Sequence, residues 1–532
     1  MNLNIPRSPD PDTVGGAARR LWLKQAGALA GVSMLPLSLA RAATPSMLNA
    51  LPRLALVIGN TKYVQAPLKN PANDAKAIAD ELQRTGFKVS LQLDAGRGQM
   101  VEAIGAFSTE LAKSRGVGIF YYAGHGAQLA WRNYLIPVDA VIEKLEDMQT
   151  KTIELNSLLV GMTRAKNPMN IIMLDACRDN PFGTRLPIEH KGLSQFDAPP
   201  GSLLAYATAP GNTAGDGEGN NGLYTENLLR EMKVPEAKIE DVLKRVRLAV
   251  RRQSAGQQIP WESTSLEDDF YFLPPQHIRD LSEIELERIF DEELAIWEAI
   301  KESTDPVPFE DYLRKYPSGK FSELAQFRLD QVLKARGEKA ITIKVAKDNP
   351  FSKGSARVDT RFKVGESWSY REIDLFTKLE LRTFTNRVSE ITDTEVRFNG
   401  GVLVTDLFGN FIKRPPGWQY TGAQFFIQEY AVGKRWSTRF RAVTPHGFSS
   451  DMEFDFRVVG REQITVPAGT FEAFRVEGNG WGRAPRGTVK LQTVYWISAD
   501  VKRVLASETK RSHTNGKVLN NERLELTAYT QF

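Results

Sequence analysis

The chain has 532 residues, of which 42% are hydrophobic and 25% charged, an ordinary globular composition with room for about three domains. The formal net charge is +5; residues 1–42 carry five basic and two acidic residues, which leaves 64 basic and 62 acidic residues beyond them. This near balance gives no electrostatic reason to expect a nucleic acid or an anionic membrane as a partner.

The first 42 residues have the pattern of a signal peptide. Arg19 and Arg20 precede an apolar stretch at 26–40, and small residues follow at Ala40 and Ala42. The stretch is too short for a stable membrane span, and the paired arginines resemble a twin-arginine export signal. We expect cleavage after Ala42 and a soluble periplasmic or otherwise exported product, with no later membrane span. The alternative is an amphipathic tail without a targeting role.

Residues 51–275 alternate between short apolar runs and amphipathic segments. The apolar runs predict strands at 54–59, 86–93, 117–122, 134–138, 170–174 and 203–208. Helical spacing predicts helices from Asn73 or Asp74 (either of which could cap the helix) to 84, and at 100–113, 156–165 and 236–253. This alternation predicts an α/β domain with a mostly parallel sheet and helices on both faces.

Cys177 is the only cysteine of the chain, and it follows the predicted strand at 170–174. A sole cysteine cannot form an internal disulfide, so it is either a core residue or a reactive thiol. Because an exported protein meets an oxidising compartment, keeping one thiol there favours a function for it.

His125 follows the predicted strand at 117–122 and has a glycine on each side. If the two strands are neighbours, His125 and Cys177 open onto the same edge of the sheet. An imidazole can activate a thiol, and the Gly126 amide could bind an oxyanion. The alternative is a structural histidine in a tight turn.

Two segments, Tyr121-Tyr-Ala-Gly-His-Gly126 and Leu174-Asp-Ala-Cys177, resemble the catalytic pattern of the caspase-like cysteine peptidases (peptidase family C14), the metacaspases in particular. The resemblance covers residues 52–272 and implies a caspase-haemoglobinase fold that hydrolyses peptide bonds through an acyl-enzyme. It implies that His125 is general base and acid and that Cys177 is the nucleophile. The amides of Gly126 and Cys177 would form the oxyanion hole.

The resemblance also places Asp175 and Asp74 in the primary specificity pocket. Two carboxylates in a narrow pocket favour a cationic side chain, above all the bidentate fork of arginine. The alternatives are a helix cap for Asp74 and a structural role for Asp175. We expect protein or peptide substrates with Arg or Lys, not Asp, before the scissile bond.

Two loops bear on regulation. Metacaspases often bind calcium shortly after the catalytic histidine, but the segment at 127–134 contains no carboxylate. We therefore doubt calcium dependence and expect no metal and no cofactor. The polar loop at 178–201 contains Arg185 and Lys191, which are candidate self-cleavage sites; an uncut loop is the alternative.

The remaining chain divides after Pro274 and Pro275. Residues 281–337 have a helical pattern that resembles a single helical-repeat unit, either a spacer or a groove for a protein partner. Residues 350–532 predict a mainly antiparallel β domain, as a sandwich or an open barrel.

The helix predicted at 236–253 carries four arginines, which we interpret as a solvent-exposed face and not as a nucleic-acid site: Arg245, Arg247, Arg251 and Arg252.

The leading prediction is an exported cysteine endopeptidase. The alternative is a catalytically silent caspase-like scaffold whose helical and β regions bind a partner. The presence of His125, Cys177, Asp74 and Asp175 together favours the enzyme.

Overall fold

The structure is a computed structural model that describes residues 47–177, 192–212, 219–275, 281–339, 349–350, 352–484 and 487–532. Residues 1–42, Arg185, Lys191 and the side chain of Cys177 lie outside this description, so the signal peptide and the self-cleavage sites stay predictions. Along the described chain, an α/β domain is followed by a helical region and a β domain.

A mostly parallel sheet forms the centre of the first domain. Its strands are β1 (Arg53–Gly59), β2 (Lys88–Leu93), β3 (Val117–Leu129), β4 (Arg132–Leu135), β5 (Ile153–Glu154), β6 (Met169–Cys177), β7 (Ser202–Tyr206) and β8 (Trp261–Thr264). The main order is β2-β1-β3-β6-β7-β8; β4 pairs with β3, and β5 with β4. Strands β1 and β3 are buried along almost their whole length, as parallel strands covered on both faces require.

Helices cover this sheet and confirm the predicted alternation. They are α1 (Pro71–Arg84), α2 (Arg97–Ser114), α3 (Asp147–Lys151), α4 (Leu155–Arg164), α5 (Leu223–Glu231) and α6 (Ile239–Gln253). The predicted cap of α1 is wrong: Asn70 is the N-cap, and Pro71 occupies the first turn, where its missing N–H costs no hydrogen bond. The edge strand β8, which pairs antiparallel with β7, was not predicted.

Strand β3 is longer than its apolar run predicts. It continues through His125 to Leu129 and turns into β4 through Ala130 and Trp131, both with positive φ, as a tight two-residue hairpin requires. His125 therefore lies inside a strand, and its interpretation as a histidine in a tight turn is wrong. Backbone pairing with β4 extends the strand beyond the point where apolar residues end.

Three helices form the described part of the central region: α7 (Glu283–Ile300), α8 (Pro306–Lys315) and α9 (Ser322–Ala335). A capping box of Ser282 and Glu285 begins α7. Their shared core includes Trp297 and Phe321, whose rings stack with centroids 5.8 Å apart. None of the helices in the described residues combines the length and the apolar composition that crossing a bilayer requires.

The last domain is a closed antiparallel barrel. Its strands are β10 (Ser367–Asp374), β11 (Glu380–Ile391), β12 (Glu395–Phe398), β13 (Leu403–Asp406), β14 (Phe411–Arg414), β15 (Trp418–Thr421), β17 (Arg435–Val443), β18 (Ser449–Val466), β19 (Gly469–Ala484), β20 (Gly487–Ile497), β21 (Val504–His513) and β22 (Val518–Thr530). Two short strands, β9 (Ser355–Arg357) and β16 (Glu429–Ala431), pair with each other. The antiparallel prediction is confirmed, but the choice between a sandwich and an open barrel is wrong, because β10 pairs with both β11 and β22.

Arg251 and Arg247 of α6 face the helical region and the sheet edge, so their interpretation as part of a solvent-exposed face is wrong, whereas Arg252, whose side chain is 54% exposed, agrees with it. Arg251 is 8% exposed and contacts Asp330 at 2.5 Å and Glu338 at 2.7 Å. Arg247 pairs with Glu262 of β8. Burial alone would lower the pKa of Arg251, but its hydrogen bonds to Glu338 and the charge of Asp330 raise it above the ordinary value. Ion pairs thus join the α/β domain to the helical region.

Replacing Arg251 with alanine is expected to lower the thermal midpoint of unfolding by about 5 °C, because two partly buried carboxylates lose their cation. Differential scanning calorimetry of the full chain measures this shift. The matched control is Arg288→Ala, whose pair with Glu292 on α7 is exposed and whose loss should move the midpoint by about 1 °C or less. Equal thermal midpoints for the two variants would show that the ion pairs of Arg251 do not stabilise the contact between the α/β domain and the helical region.

Candidate active site

The register between β3 and β6 brings the predicted catalytic residues to one edge of the sheet. Ala123 pairs with Asp175, and after an irregularity in β3 Gly126 pairs with Cys177. Cys177 is the last residue of β6, and His125 directly precedes Gly126. The backbone of both residues therefore lies where the parallel pairing of β3 with β6 ends, at the edge where open α/β sheets bind their ligands.

Gly126 allows the two strands to approach closely at this point. A Cβ atom on this residue would lie 2.8 Å from the carbonyl oxygen of Ala176 and 3.0 Å from the side chain of Leu193. Any larger residue would push β3 away from β6. The glycine after the histidine thus has a packing reason in addition to its proposed role in binding an oxyanion.

The imidazole of His125 is held by a backbone carbonyl. It is 4% exposed, and its Nε2 lies 2.6 Å from the carbonyl oxygen of Ala66. A carbonyl can only accept a hydrogen bond, so Nε2 must carry the proton. In the neutral ring, Nδ1 then has the lone pair and is the nitrogen that can act as a base.

Tyr63 fixes the backbone of His125 and covers its ring. The His125 N–H donates to the Tyr63 hydroxyl at 2.8 Å, and the two ring centroids are 4.4 Å apart. The Tyr122 hydroxyl lies 3.2 Å from that of Tyr63 and 2.9 and 3.0 Å from the carbonyl oxygens of His125 and Ile136, and its one proton can be donated to either carbonyl. Two buried tyrosines thus hold both backbone polar groups of the histidine.

The predicted pocket acids, Asp74 and Asp175, lie around one tyrosine. Asp175 accepts a hydrogen bond from Thr225 at 3.0 Å, and the Thr225 hydroxyl is 2.7 Å from that of Tyr121. Burial, followed by the charges of Asp175 and Asp74, holds the pKa of Tyr121 well above its ordinary value. The fold therefore brings the two carboxylates into the same buried environment.

Asp74 stabilises the start of a different helix from its own. Its carboxylate accepts hydrogen bonds from the Asn221 amide and from the Gly222 N–H, both at 2.9 Å. Gly222 is the N-cap of α5, where an anion interacts favourably with the helix dipole. Asp74 thus caps α5, although the sequence suggested only a cap for α1.

A family comparison agrees with this fold. Residues 52–271 match the family model of the caspase domain. The family is one of cysteine peptidases, and the match ends before the helical region begins. We use the name of that model, the caspase domain, for residues 52–271.

Two mammalian proteins are similar to part of the chain. They are the mucosa-associated lymphoid tissue lymphoma translocation protein 1 homolog of Mus musculus and the mucosa-associated lymphoid tissue lymphoma translocation protein 1 of Homo sapiens. Each is 29% identical over 200 residues, which cover 36% of this chain. The matched stretch spans 23% of the length of each relative.

Tyr63, Ala66 and Thr225 of the caspase domain contact the predicted site residues but were not singled out from the sequence. Tyr63 and Ala66 lie in the loop between β1 and α1, far along the chain from His125. A tyrosine near the end of the first buried strand was the one signal that could have indicated a contact with the site edge. The carbonyl of Ala66 leaves no signal at all, since every residue has one.

Replacing Tyr63 with phenylalanine is expected to lower kcat/KM about tenfold, because the buried N–H of His125 loses its acceptor and the imidazole its fixed position. Tyr63 is a positioning residue, so the pH dependence of kcat/KM should change along with its magnitude. Steady-state kinetics across pH measures both. Tyr134→Phe removes the hydroxyl of another tyrosine of the same cluster and serves as the control. Equal losses in the two variants would contradict the positioning role of Tyr63.

Proposed function

We propose that the caspase domain is a cysteine endopeptidase that cleaves protein or peptide substrates after arginine or lysine. The observation that supports this most is the strand register that sets Gly126 opposite Cys177, with His125 next to Gly126. The hydrogen bond from Nε2 of His125 to the Ala66 carbonyl fixes the tautomer in which Nδ1 carries the lone pair and can act as the base. These features match the requirements of thiol activation: a base, a fixed orientation and nearby amides.

In the proposed reaction, Nδ1 of His125 takes the proton of the Cys177 thiol. The thiolate attacks the carbonyl carbon of the scissile bond, and the electron pair of the C=O bond moves to the oxygen. The N–H groups of Gly126 and Cys177 stabilise this oxyanion. His125 then gives its proton to the leaving nitrogen, the C–N bond breaks, and an acyl-enzyme remains.

Water completes the cycle by the same groups. His125 takes a proton from water, and the resulting hydroxide attacks the acyl carbon. The C–S bond breaks as the oxyanion collapses, and the thiolate recovers its proton from the imidazolium. The Ala66 carbonyl stabilises the imidazolium in each half of the reaction because it accepts from Nε2.

The proposed preference for a basic residue rests on Asp74 and Asp175. Both are buried, at 0% and 2% exposure, in one environment with Tyr121. Charge interactions are stronger in such a medium than in water, so a cationic side chain gains more there than a neutral one. A guanidinium group can bond to two carboxylates at once, which favours Arg over Lys.

We also propose, from the pattern of residues 1–42 alone, that the protein is exported. Cleavage after Ala42 would then leave a mature chain that begins at residue 43 and acts outside the cytoplasm. The helical region and the barrel would then be the surfaces available to a protein partner.

A panel of peptides that differ only in the residue before the scissile bond tests the function. We expect hydrolysis after Arg and Lys, with Arg faster, much slower hydrolysis after neutral residues such as norleucine, and none after Asp. Hydrolysis after Asp would overturn the proposed specificity. No hydrolysis of any peptide would favour the silent scaffold, whose helical and β regions bind a partner.

A further inference from the structure

A cavity lined by arginines lies where the caspase domain meets the helical region. It has a volume of about 520 Å³, within the range of small-ligand sites. Helices α5, α6 and α8 contribute its four arginines, which are Arg230, Arg245, Arg252 and Arg314. The other lining residues are Glu231, Leu248, Ala249 and Gln253.

Three of the arginines have a carboxylate partner. Arg230 pairs with Glu231 at 3.1 Å, Arg252 with Glu310 at 2.9 Å, and Arg314 with Asp311 at 2.9 Å. Of these three carboxylates only that of Glu231 lines the cavity. Because these three charges are paired, the excess positive charge of the cavity wall comes from the fourth arginine.

Arg245 is the fourth arginine, and its charge is not balanced within the described residues. Its Nε donates to the backbone carbonyl of Arg314 at 3.0 Å. Its Nη1 is buried and has no hydrogen-bond partner there. A buried donor without an acceptor costs free energy, and neighbouring guanidinium groups repel each other. An anion in the cavity would relieve both costs.

A second cavity of about 440 Å³ adjoins the first and shares Leu248 and Arg252 with it. It is lined by three further cations, Arg251, Arg336 and Lys339, against the two carboxylates Glu310 and Glu338. Arg251 is paired with Asp330 and Glu338, and Arg336 with Asp305 at 3.4 Å, so the second cavity adds little unbalanced positive charge. The four guanidinium groups around the first cavity fit a ligand with several charged groups better than a single small ion.

We propose that this cavity binds a small, multivalent oxyanion at the junction of the caspase domain and the helical region. Arginine forks recognise phosphate and carboxylate oxygens alike, so the shared chemistry is a molecule that carries several phosphate or carboxylate groups. The site is independent of the proposed peptidase reaction, since none of its lining residues belongs to the catalytic set.

Isothermal titration calorimetry of the full chain with inorganic tripolyphosphate and, separately, with citrate tests this proposal. We expect at least one of the two to bind the native protein, with an affinity that falls as salt is raised. The preferred probe distinguishes phosphate from carboxylate recognition.

The decisive variants are Ala249→Glu and Ala249→Gln, which place side chains of equal size in the cavity and differ only in charge. The glutamate variant should bind the preferred anion at least about tenfold more weakly than the glutamine variant. Because the new carboxylate can pair with Arg245, its thermal midpoint without ligand should be the higher of the two. Equal affinities for the two variants, or no binding of either anion to the native protein, would overturn the proposal.

Discussion

Replacing Cys177 with serine is expected to lower kcat/KM for an arginine peptide by roughly 10⁴-fold or more. The thiol of a cysteine loses its proton to a neighbouring imidazole far more readily than the hydroxyl of a serine, and the thiolate is the stronger nucleophile. The strand register, the Ala66 carbonyl and the pocket acids would all remain in place. The loss should therefore appear in kcat, with KM changed little.

Two measurements make this result specific to the chemistry. The thermal midpoint of Cys177→Ser should stay close to that of the native protein, since serine is nearly isosteric. The His125→Ala variant should be about as inactive, and the double variant no worse than either single one, because the two residues act as a unit. Activity of Cys177→Ser within tenfold of the native value would rule out a thiol nucleophile.

The second large effect concerns specificity. Replacing Asp175 with asparagine is expected to lower kcat/KM for an arginine substrate by roughly 100-fold, because a buried guanidinium group would lose a charged partner. Asparagine keeps an oxygen that can accept the hydrogen bond from Thr225, so the fold around Tyr121 should survive. Most of the effect should appear in KM.

A substrate with citrulline in place of arginine provides the matched control, because citrulline has a similar shape without the charge. Asp175→Asn should cleave the citrulline peptide as well as the native enzyme does, and Asp74→Asn should behave in the same way. Equal losses on the arginine and citrulline peptides would show that Asp175 supports the structure and does not select the substrate.

Much of the caspase domain could be predicted because local patterns decide it. The apolar run from Arg53 to Gly59 by itself predicts β1, and the helical spacing of apolar residues before Arg84 by itself predicts α1. The extension of β3 past Tyr122 could not be predicted, because its residues are held by pairing with β4 and not by apolar periodicity. The closure of the barrel depends on the pairing of β10 with β22, about 150 residues later, which no local pattern encodes.

The residues of the candidate site also fall into those that the sequence indicates and those that only the tertiary structure reveals. His125 and Cys177 stand out by residue type, and the parallel register explains why their strand ends meet. Tyr63 and Ala66 reach His125 from a loop, so their roles depend on tertiary structure alone. The interpretation of Arg251 as solvent-exposed fails for a related reason: a charged helical face looks solvated until the helix that packs on it is known.

The central claim, that Cys177 is a nucleophile in a site for basic residues, is tested most directly by covalent labelling. The full-length protein, and in parallel the fragment 43–275, is treated with a peptide chloromethylketone bearing arginine, and the adduct is located by peptide mass spectrometry. We predict a single adduct at Cys177, absent from His125→Ala and slowed in Asp175→Asn. No adduct at Cys177 in either form of the protein would contradict the account and leave the caspase domain as a scaffold.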